Sequence, residues 1–181
     1  TDIIQHRFDH QAPGRVEVMN VAWGGWDSQS ELGAIRDLLK PYELDEIVLC
    51  YVPNDIETLL PLEGVVDLRE PRKSVYLNVE SSFLVNHLYY RLFSPRLPNG
   101  LSYADWLMSG YLAPDIWAKQ QQCLLDIIDL CRQRNITLRV ALFPLIWPAG
   151  QGYDAEALHV QLRDFFTAHG ISVIDLLPTL E

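Results

Sequence analysis

The sequence predicts a single α/β domain built on a parallel sheet. Buried-strand patterns alternate with amphipathic helix patterns along the chain, which is typical of this fold class. The first predicted strand, helix and strand fit within about forty residues, and a crossover of that size makes two strands parallel. The chain of 181 residues is 49% hydrophobic, which is sufficient for one sizeable core.

The first elements lead to a glycine turn. Residues 1–11 have apolar side chains spaced for the end of a helix, before Ala12-Pro13-Gly14 breaks it. Residues 15–22 alternate and then become apolar, which predicts a strand. That strand runs into the turn Trp23-Gly24-Gly25-Trp26.

A capped helix and a second strand follow the glycine turn. Asp27 or Ser28 is expected to cap the helix, because Glu31 lies three residues after Ser28 in the spacing of a capping box. The stretch Glu46 to Asp55 then predicts a fully buried strand that ends in a polar Asn-Asp turn.

The second half repeats the pattern of helix and strand. Residues 56–74 are predicted to be irregular, and the long helix expected after Pro114 carries Gln120 on its apolar side. The other predicted elements are helices over 75–93, 102–108, 114–134 and 154–169, and strands over 137–143 and 171–175.

The net charge limits the classes of partner that we expect, and the cysteines indicate the compartment. The net charge of −10, from 14 basic and 24 acidic residues, argues against nucleic acid and anionic membrane surfaces as partners. No apolar run is long enough to predict a membrane span. Cys50, Cys123 and Cys131 form no CxxC motif and are expected to be buried reduced thiols, which favours a reducing, cytoplasmic location.

Two predicted strand ends carry groups suited to acyl transfer. In a parallel sheet, the glycine turn and the Asn54-Asp55 turn lie at the same edge, where ligands bind. The backbone N–H of Gly25 and the side-chain amide of Asn54 are the kinds of donor that form an oxyanion hole. Taken singly, a tight turn and a helix cap explain these residues better than an oxyanion hole does.

Taken together, these motifs resemble the SGNH or GDSL hydrolase family. The matching blocks, in the family's order, are Asn20 to Gly25, Val48 to Asp55, Leu142 to Pro148 and Gly170 to Leu180. The resemblance implies a flavodoxin-like, three-layer fold with helices on both faces of the parallel sheet. It implies a serine ester hydrolase with Gly25 and Asn54 as oxyanion donors, no metal or organic cofactor, and a small-molecule ester or acetylated carbohydrate as substrate.

The chain departs from the family at both catalytic groups. Family members carry the nucleophile in Gly-Asp-Ser on a central first strand and the base in Asp-x-x-His, and neither motif occurs here. We therefore expect residues 1–181 to be one incomplete, inactive domain that lacks its central strand. Either the sheet has a gap, or residues 16–22 pair unusually, or an upstream segment fills the slot.

Local side chains are poor substitutes for the missing groups. Capping explains Ser28 and Ser30 better than nucleophilic catalysis does. Surface or capping roles are expected for His87, His159 and His169. The spacing of His6 and His10 suits metal ligation, but no nearby ligand supports a metal site.

Two tryptophans are candidates for substrate binding. Trp26 and Trp147 lie beside predicted strand ends and would line an acyl or sugar pocket, with core or lid packing as the alternative. The alternative function is a non-catalytic SGNH-like domain that binds a carbohydrate or a protein. A flavodoxin-like ligand-binding domain is disfavoured, because the strand ends lack phosphate-binding clusters.

Overall fold

A computed structural model describes residues 2–60, 103–145 and 155–179. They form a mixed α/β fold, as predicted. The helices are α1 (Asp2–Gln11), α2 (Ser28–Gly33), α3 (Tyr103–Leu112), α4 (Pro114–Gln133) and α5 (Ala155–Ala168), and the strands are β1 (Glu46–Tyr51), β2 (Thr137–Leu142) and β3 (Ser172–Asp175). Shorter helical segments are a π-helical turn at Ala34–Leu38 and 3₁₀ helices at Pro53–Leu59 and Leu177–Thr179.

The strands of the described residues form a parallel sheet in the order β1-β2-β3. Tyr51 pairs with Leu142, and Leu142 pairs with Asp175, so the carboxyl ends of the strands meet at one edge. The backbone oxygens of Asp45 and Tyr51 accept hydrogen bonds from β2 and its extension. By alternation, the backbone groups of Glu46, Val48 and Cys50 point away from β2, and β1 is the outer strand of this sheet.

Helices α3, α4 and α5 lie on one face of the sheet. That face carries Leu49 and Tyr51, which join buried residues of the π-helical turn, α3, α4 and α5 in one core cluster, with Leu32 of α2 packed against it. On the opposite face, Val48 is 49% exposed, Ile174 is 51% exposed and Cys50 is exposed.

This packing corrects two predictions about β1. The strand is not fully buried, and Cys50 is not a buried thiol, although all three cysteines are free and Cys123 and Cys131 are buried. The reason is that the described helices leave one face of β1 uncovered. The described residues form two layers, the sheet and the helices on one of its faces. The flavodoxin-like arrangement with helices on both faces therefore stays a prediction.

The strand predicted at residues 15–22 is absent. The side-chain amide of Gln5 donates to the Val16 oxygen at 2.9 Å and accepts from the Val18 N–H at 2.7 Å. A side chain of α1 thus satisfies backbone groups that a neighbouring strand would otherwise bond. Residues 15–22 do not join the sheet, and β1 has no neighbour from them.

The start of α2 differs from the predicted capping box. Asp27 is the N-cap and accepts from the Ser30 N–H at 2.8 Å. Ser28 already lies inside the helix, and its buried hydroxyl accepts from Gln120, so the box between Ser28 and Glu31 does not form. After α2, the Arg134 guanidinium donates to the backbone carbonyls of Ile35, Leu39 and Tyr42.

Some predictions lie outside the described residues. They concern the helix at 75–93, most of the segment 56–74, and Trp147. Among the described residues, no helix has the length and apolarity needed to cross a membrane.

Candidate functional site

The segments that follow the two predicted turns are in contact. The Thr58 hydroxyl, in the 3₁₀ helix after β1, donates to Asp27 Oδ2 at 2.7 Å, and Asp27 directly follows the glycine turn. The Trp26 N–H donates to the Trp23 oxygen at 3.2 Å, which closes that turn. Gly25 is exposed and has a φ of +85°, a conformation that glycine adopts without strain.

Asn54 occupies the first turn of the 3₁₀ helix, directly after β1. The Asp55 carboxylate accepts from the Val52 N–H at 3.1 Å, and the Asp55 N–H donates to the Val52 oxygen at 2.9 Å. These reciprocal bonds fix the backbone around Asn54. Its half-buried side chain makes no hydrogen bond with the described residues.

Three carboxyl groups cluster at the same place. Burial, together with the nearby charges of Asp55 and Asp27, raises the pKa of Glu31 to about 8. Burial also raises the pKa of Asp55 to about 7, against the opposing effect of the Val52 N–H. For Asp27, burial acts to raise the pKa, but hydrogen bonds from Ser30 and Thr58 outweigh it and lower the pKa.

A buried polar network lies beneath the two turns. The Gln120 side-chain amide donates to the Ser28 hydroxyl at 2.8 Å and to the Tyr51 hydroxyl at 3.1 Å. The Tyr51 and Tyr111 hydroxyls are 2.8 Å apart, and Tyr111 donates to the Pro53 oxygen at 2.8 Å. The network therefore connects α2, β1, α3 and α4.

Comparison of the chain with models of protein families, with curated proteins and with solved structures finds no match.

The described serines nearest the turns have structural partners. Ser28 is buried and bonded by Gln120, and the Ser30 hydroxyl donates to Asp27 Oδ1 at 2.6 Å. Neither serine has a histidine among its hydrogen-bond partners in the described part of the chain. These contacts favour structural roles for both residues.

His159 is not a surface residue, contrary to the prediction. Its side chain is 1% exposed, and its Nδ1 lies 2.7 Å from Asp175 Oδ1. Leu162 and Phe166 follow it by three and seven residues, so α5 places all three on its buried face. The buried Nε2 has no hydrogen-bond partner within the described residues.

The remaining predictions concern His6, His10, His169, Trp26 and Trp147. The Nε2 atoms of His6 and His10 are 3.2 Å apart on α1, but the described residues contain no group of three or more His, Cys, Asp or Glu side chains that would hold a metal. His169 Nδ1 lies 2.7 Å from the Phe165 oxygen at the end of α5. Trp26 is half-buried next to Asp27, whereas Trp147 falls outside the described part of the chain.

Sequence reasoning missed the polar network and the pair of His159 with Asp175. One signal was present for the network, because Gln120 is a polar residue on the apolar side of a long helix. A polar side chain in such a stripe requires a buried partner. Its partners, Ser28 and Tyr51, are 92 and 69 residues away along the chain.

Proposed function

We propose that this chain contributes the oxyanion-binding part of an ester hydrolase of SGNH type. The Gly25 N–H and the Asn54 side-chain amide would bind the oxygen that becomes negatively charged when a serine attacks an ester or acetyl carbonyl. In this scheme the nucleophilic serine and the histidine base would come from outside these residues. No metal or organic cofactor takes part in this scheme.

The observation that carries the proposal is the contact between the segments that follow the two turns. Thr58 and Asp27 bond at 2.7 Å, which joins the segment of Asn54 to the turn of Gly25. One donor is a backbone N–H in an exposed glycine turn, and the other is an amide without a partner among the described residues. Donors that are already positioned need little reorganisation when negative charge develops.

The outer edge of β1 supports the same proposal. The outward backbone groups of Glu46, Val48 and Cys50 are positioned to pair with a further strand. In the family that the sequence resembles, the strand with the nucleophile occupies this position in the sheet. A strand paired there would end beside Asn54 and bring its serine towards both donors.

The raised pKa values of the neighbouring carboxyls also suit an oxyanion site. Glu31, with a pKa of about 8, and Asp55, with a pKa of about 7, retain protons to near-neutral pH. Protonated Glu31 and Asp55 add no negative charge beside a developing oxyanion, whereas Asp27, whose pKa is lowered, stays ionised. We expect activity to decrease as the pH rises through these values.

The test is hydrolysis of p-nitrophenyl acetate by the full-length gene product and its Asn54→Ala variant. We expect kcat to fall about 100-fold in the variant, the usual loss when one oxyanion donor is removed. Gln29→Ala is the control, since it removes an exposed amide from the adjacent helix α2. Equal kcat in the Asn54→Ala and wild-type proteins would refute the role of Asn54.

The second candidate is a non-catalytic domain that binds a carbohydrate or a protein. It is favoured by the structural partners of Ser28 and Ser30, which leave no nucleophile beside the two turns among the described residues. The coding sequence around this chain separates the candidates. Gly-Asp-Ser before Thr1 and Asp-x-x-His after Glu181 support the hydrolase, whereas their absence supports the binding domain.

A further inference from the structure

We propose that Tyr111 is a positioning residue for Asn54 and acts through the Pro53 carbonyl group. The inference rests on the proposed function, because it assigns Tyr111 a part in setting the oxyanion donor. Tyr111 lies on α3, which is remote in sequence from both turns. Its hydroxyl contacts the residue immediately before Asn54.

The direction of each hydrogen bond in the network follows from counting hydrogens. A carbonyl oxygen only accepts, so the one hydroxyl hydrogen of Tyr111 is donated to Pro53. Tyr51 must then donate its own hydrogen to Tyr111. The Tyr51 oxygen accepts from Gln120, and the second amide hydrogen of Gln120 goes to Ser28.

The side chains of this hydrogen-bond network are buried from solvent. Tyr51 is 0% exposed, Gln120 is 2% exposed and Tyr111 is 3% exposed, and Pro53 is also buried. Water cannot easily replace a lost partner in such a place, so each bond holds its acceptor in one geometry. Ser28 at one end and Pro53 at the other belong to the two segments that carry the turns.

Asn54 is thereby held from both sides of its backbone. On one side, Tyr111 fixes the Pro53 carbonyl and hence the peptide plane that enters Asn54. On the other side, the Asp55 carboxylate bonds back to the Val52 N–H. Loss of the Tyr111 hydroxyl would let this peptide plane rotate, and the Asn54 amide would move relative to the developing oxyanion.

The first measurement compares Tyr111→Phe with wild type in the full-length gene product, with p-nitrophenyl acetate as substrate. We expect kcat to fall about 10-fold with little change in KM, because small misplacements of a catalytic group are costly for the chemical step. Tyr42→Phe is the matched control, since Tyr42 is exposed, and its kcat should equal that of wild type.

The deciding measurement repeats Tyr111→Phe in the Asn54→Ala background. If Tyr111 acts through Asn54, its removal has no further effect on kcat there. A purely structural role would lower kcat by the same factor in both backgrounds, and that result would overturn the inference. An unchanged kcat for Tyr111→Phe alone would do so as well.

A substitute variant and the result for Asn54→Ala distinguish failure of the positioning role from failure of the proposed function. If Tyr111→Phe fails to fold, Tyr51→Phe takes its place, because it removes the donor to Tyr111 and one acceptor of Gln120 but leaves the bond of Tyr111 to Pro53; we expect a smaller loss of kcat that again vanishes without Asn54. A loss that persists without Asn54 contradicts the inference. If Asn54→Ala itself keeps full kcat, the proposed function fails, whereas a normal Tyr111→Phe beside a defective Asn54→Ala rejects only the positioning role.

Discussion

Glu31→Gln is expected to make the folded chain more stable than wild type at pH 9. The Glu31 carboxyl is shielded by burial, and its Oε2 atom has no hydrogen-bond partner in the described part of the chain. Its pKa rises from 4.5 to about 8 on folding. At roughly 1.4 kcal/mol per pKa unit, ionisation of Glu31 at high pH costs on the order of 5 kcal/mol of folding free energy.

The sign follows from proton binding. The folded chain holds the Glu31 proton more tightly than the unfolded chain, so this stability is fully present below about pH 4.5 and is lost as the pH rises through about 8. Asp55, with a folded pKa of about 7, acts in the same direction. Glutamine has no ionisable proton and removes the contribution of Glu31.

Urea unfolding at pH 5 and pH 9 measures this difference. Wild type should lose more stability between the two values than Glu31→Gln does. Glu43→Gln supplies the matched control at an exposed carboxylate, and it should keep the wild-type pH dependence. The same pH dependence in Glu31→Gln and wild type would show that Glu31 is ionised at little cost.

Asp175→Ala is expected to lower the free energy of unfolding by about 3 kcal/mol, because it leaves two N–H donors without their acceptor, at a cost of about 1 to 3 kcal/mol for each buried donor. The substitution removes the acceptor for His159 Nδ1, at 2.7 Å, and for the Leu177 N–H, at 3.0 Å. The imidazole would then be buried with neither nitrogen bonded to a described residue. Asp175 Oδ2 also lies 3.4 Å from Arg163 Nη1, but this ion pair adds little to stability because the Arg163 side chain is exposed.

Two variants make the measurement of Asp175 specific. Asp175→Asn keeps an oxygen that accepts from His159 and should recover about half of the lost stability. Asp164→Ala removes an exposed carboxylate of the same helix that contains His159, and it should change stability by less than about 0.5 kcal/mol. If Asp175→Ala unfolds at the same urea concentration as Asp164→Ala, the buried pair contributes nothing.

Elements with a periodic buried face could be predicted from sequence. The helix α4, Pro114–Gln133, and the strand β2, Thr137–Leu142, have nearly the predicted bounds, because their apolar spacing reflects one packed face. The predicted strand at 15–22 has the same kind of pattern but no partner strand. Alternation along a segment cannot show which groups satisfy its backbone, and here Gln5 does so.

The candidate site, too, could be predicted from sequence only in part. Asn54 could be singled out because it follows a strand, and the carboxyl ends of parallel strands meet at one edge. The bond of Tyr111 to the Pro53 oxygen joins residues 58 apart, and no local pattern encodes it. The exposure of Cys50 likewise depends on which helices cover β1, which is a property of the assembled sheet.

The most direct measurement of the central claim compares an oxygen ester with its sulfur analogue. In p-nitrophenyl thionoacetate the carbonyl oxygen is replaced by sulfur, a poorer acceptor for N–H donors. If Gly25 and Asn54 bind the oxyanion, the full-length wild-type protein should prefer the oxygen ester strongly, and Asn54→Ala should show a much smaller ratio of the two kcat/KM values. The same ratio in both proteins would contradict the account.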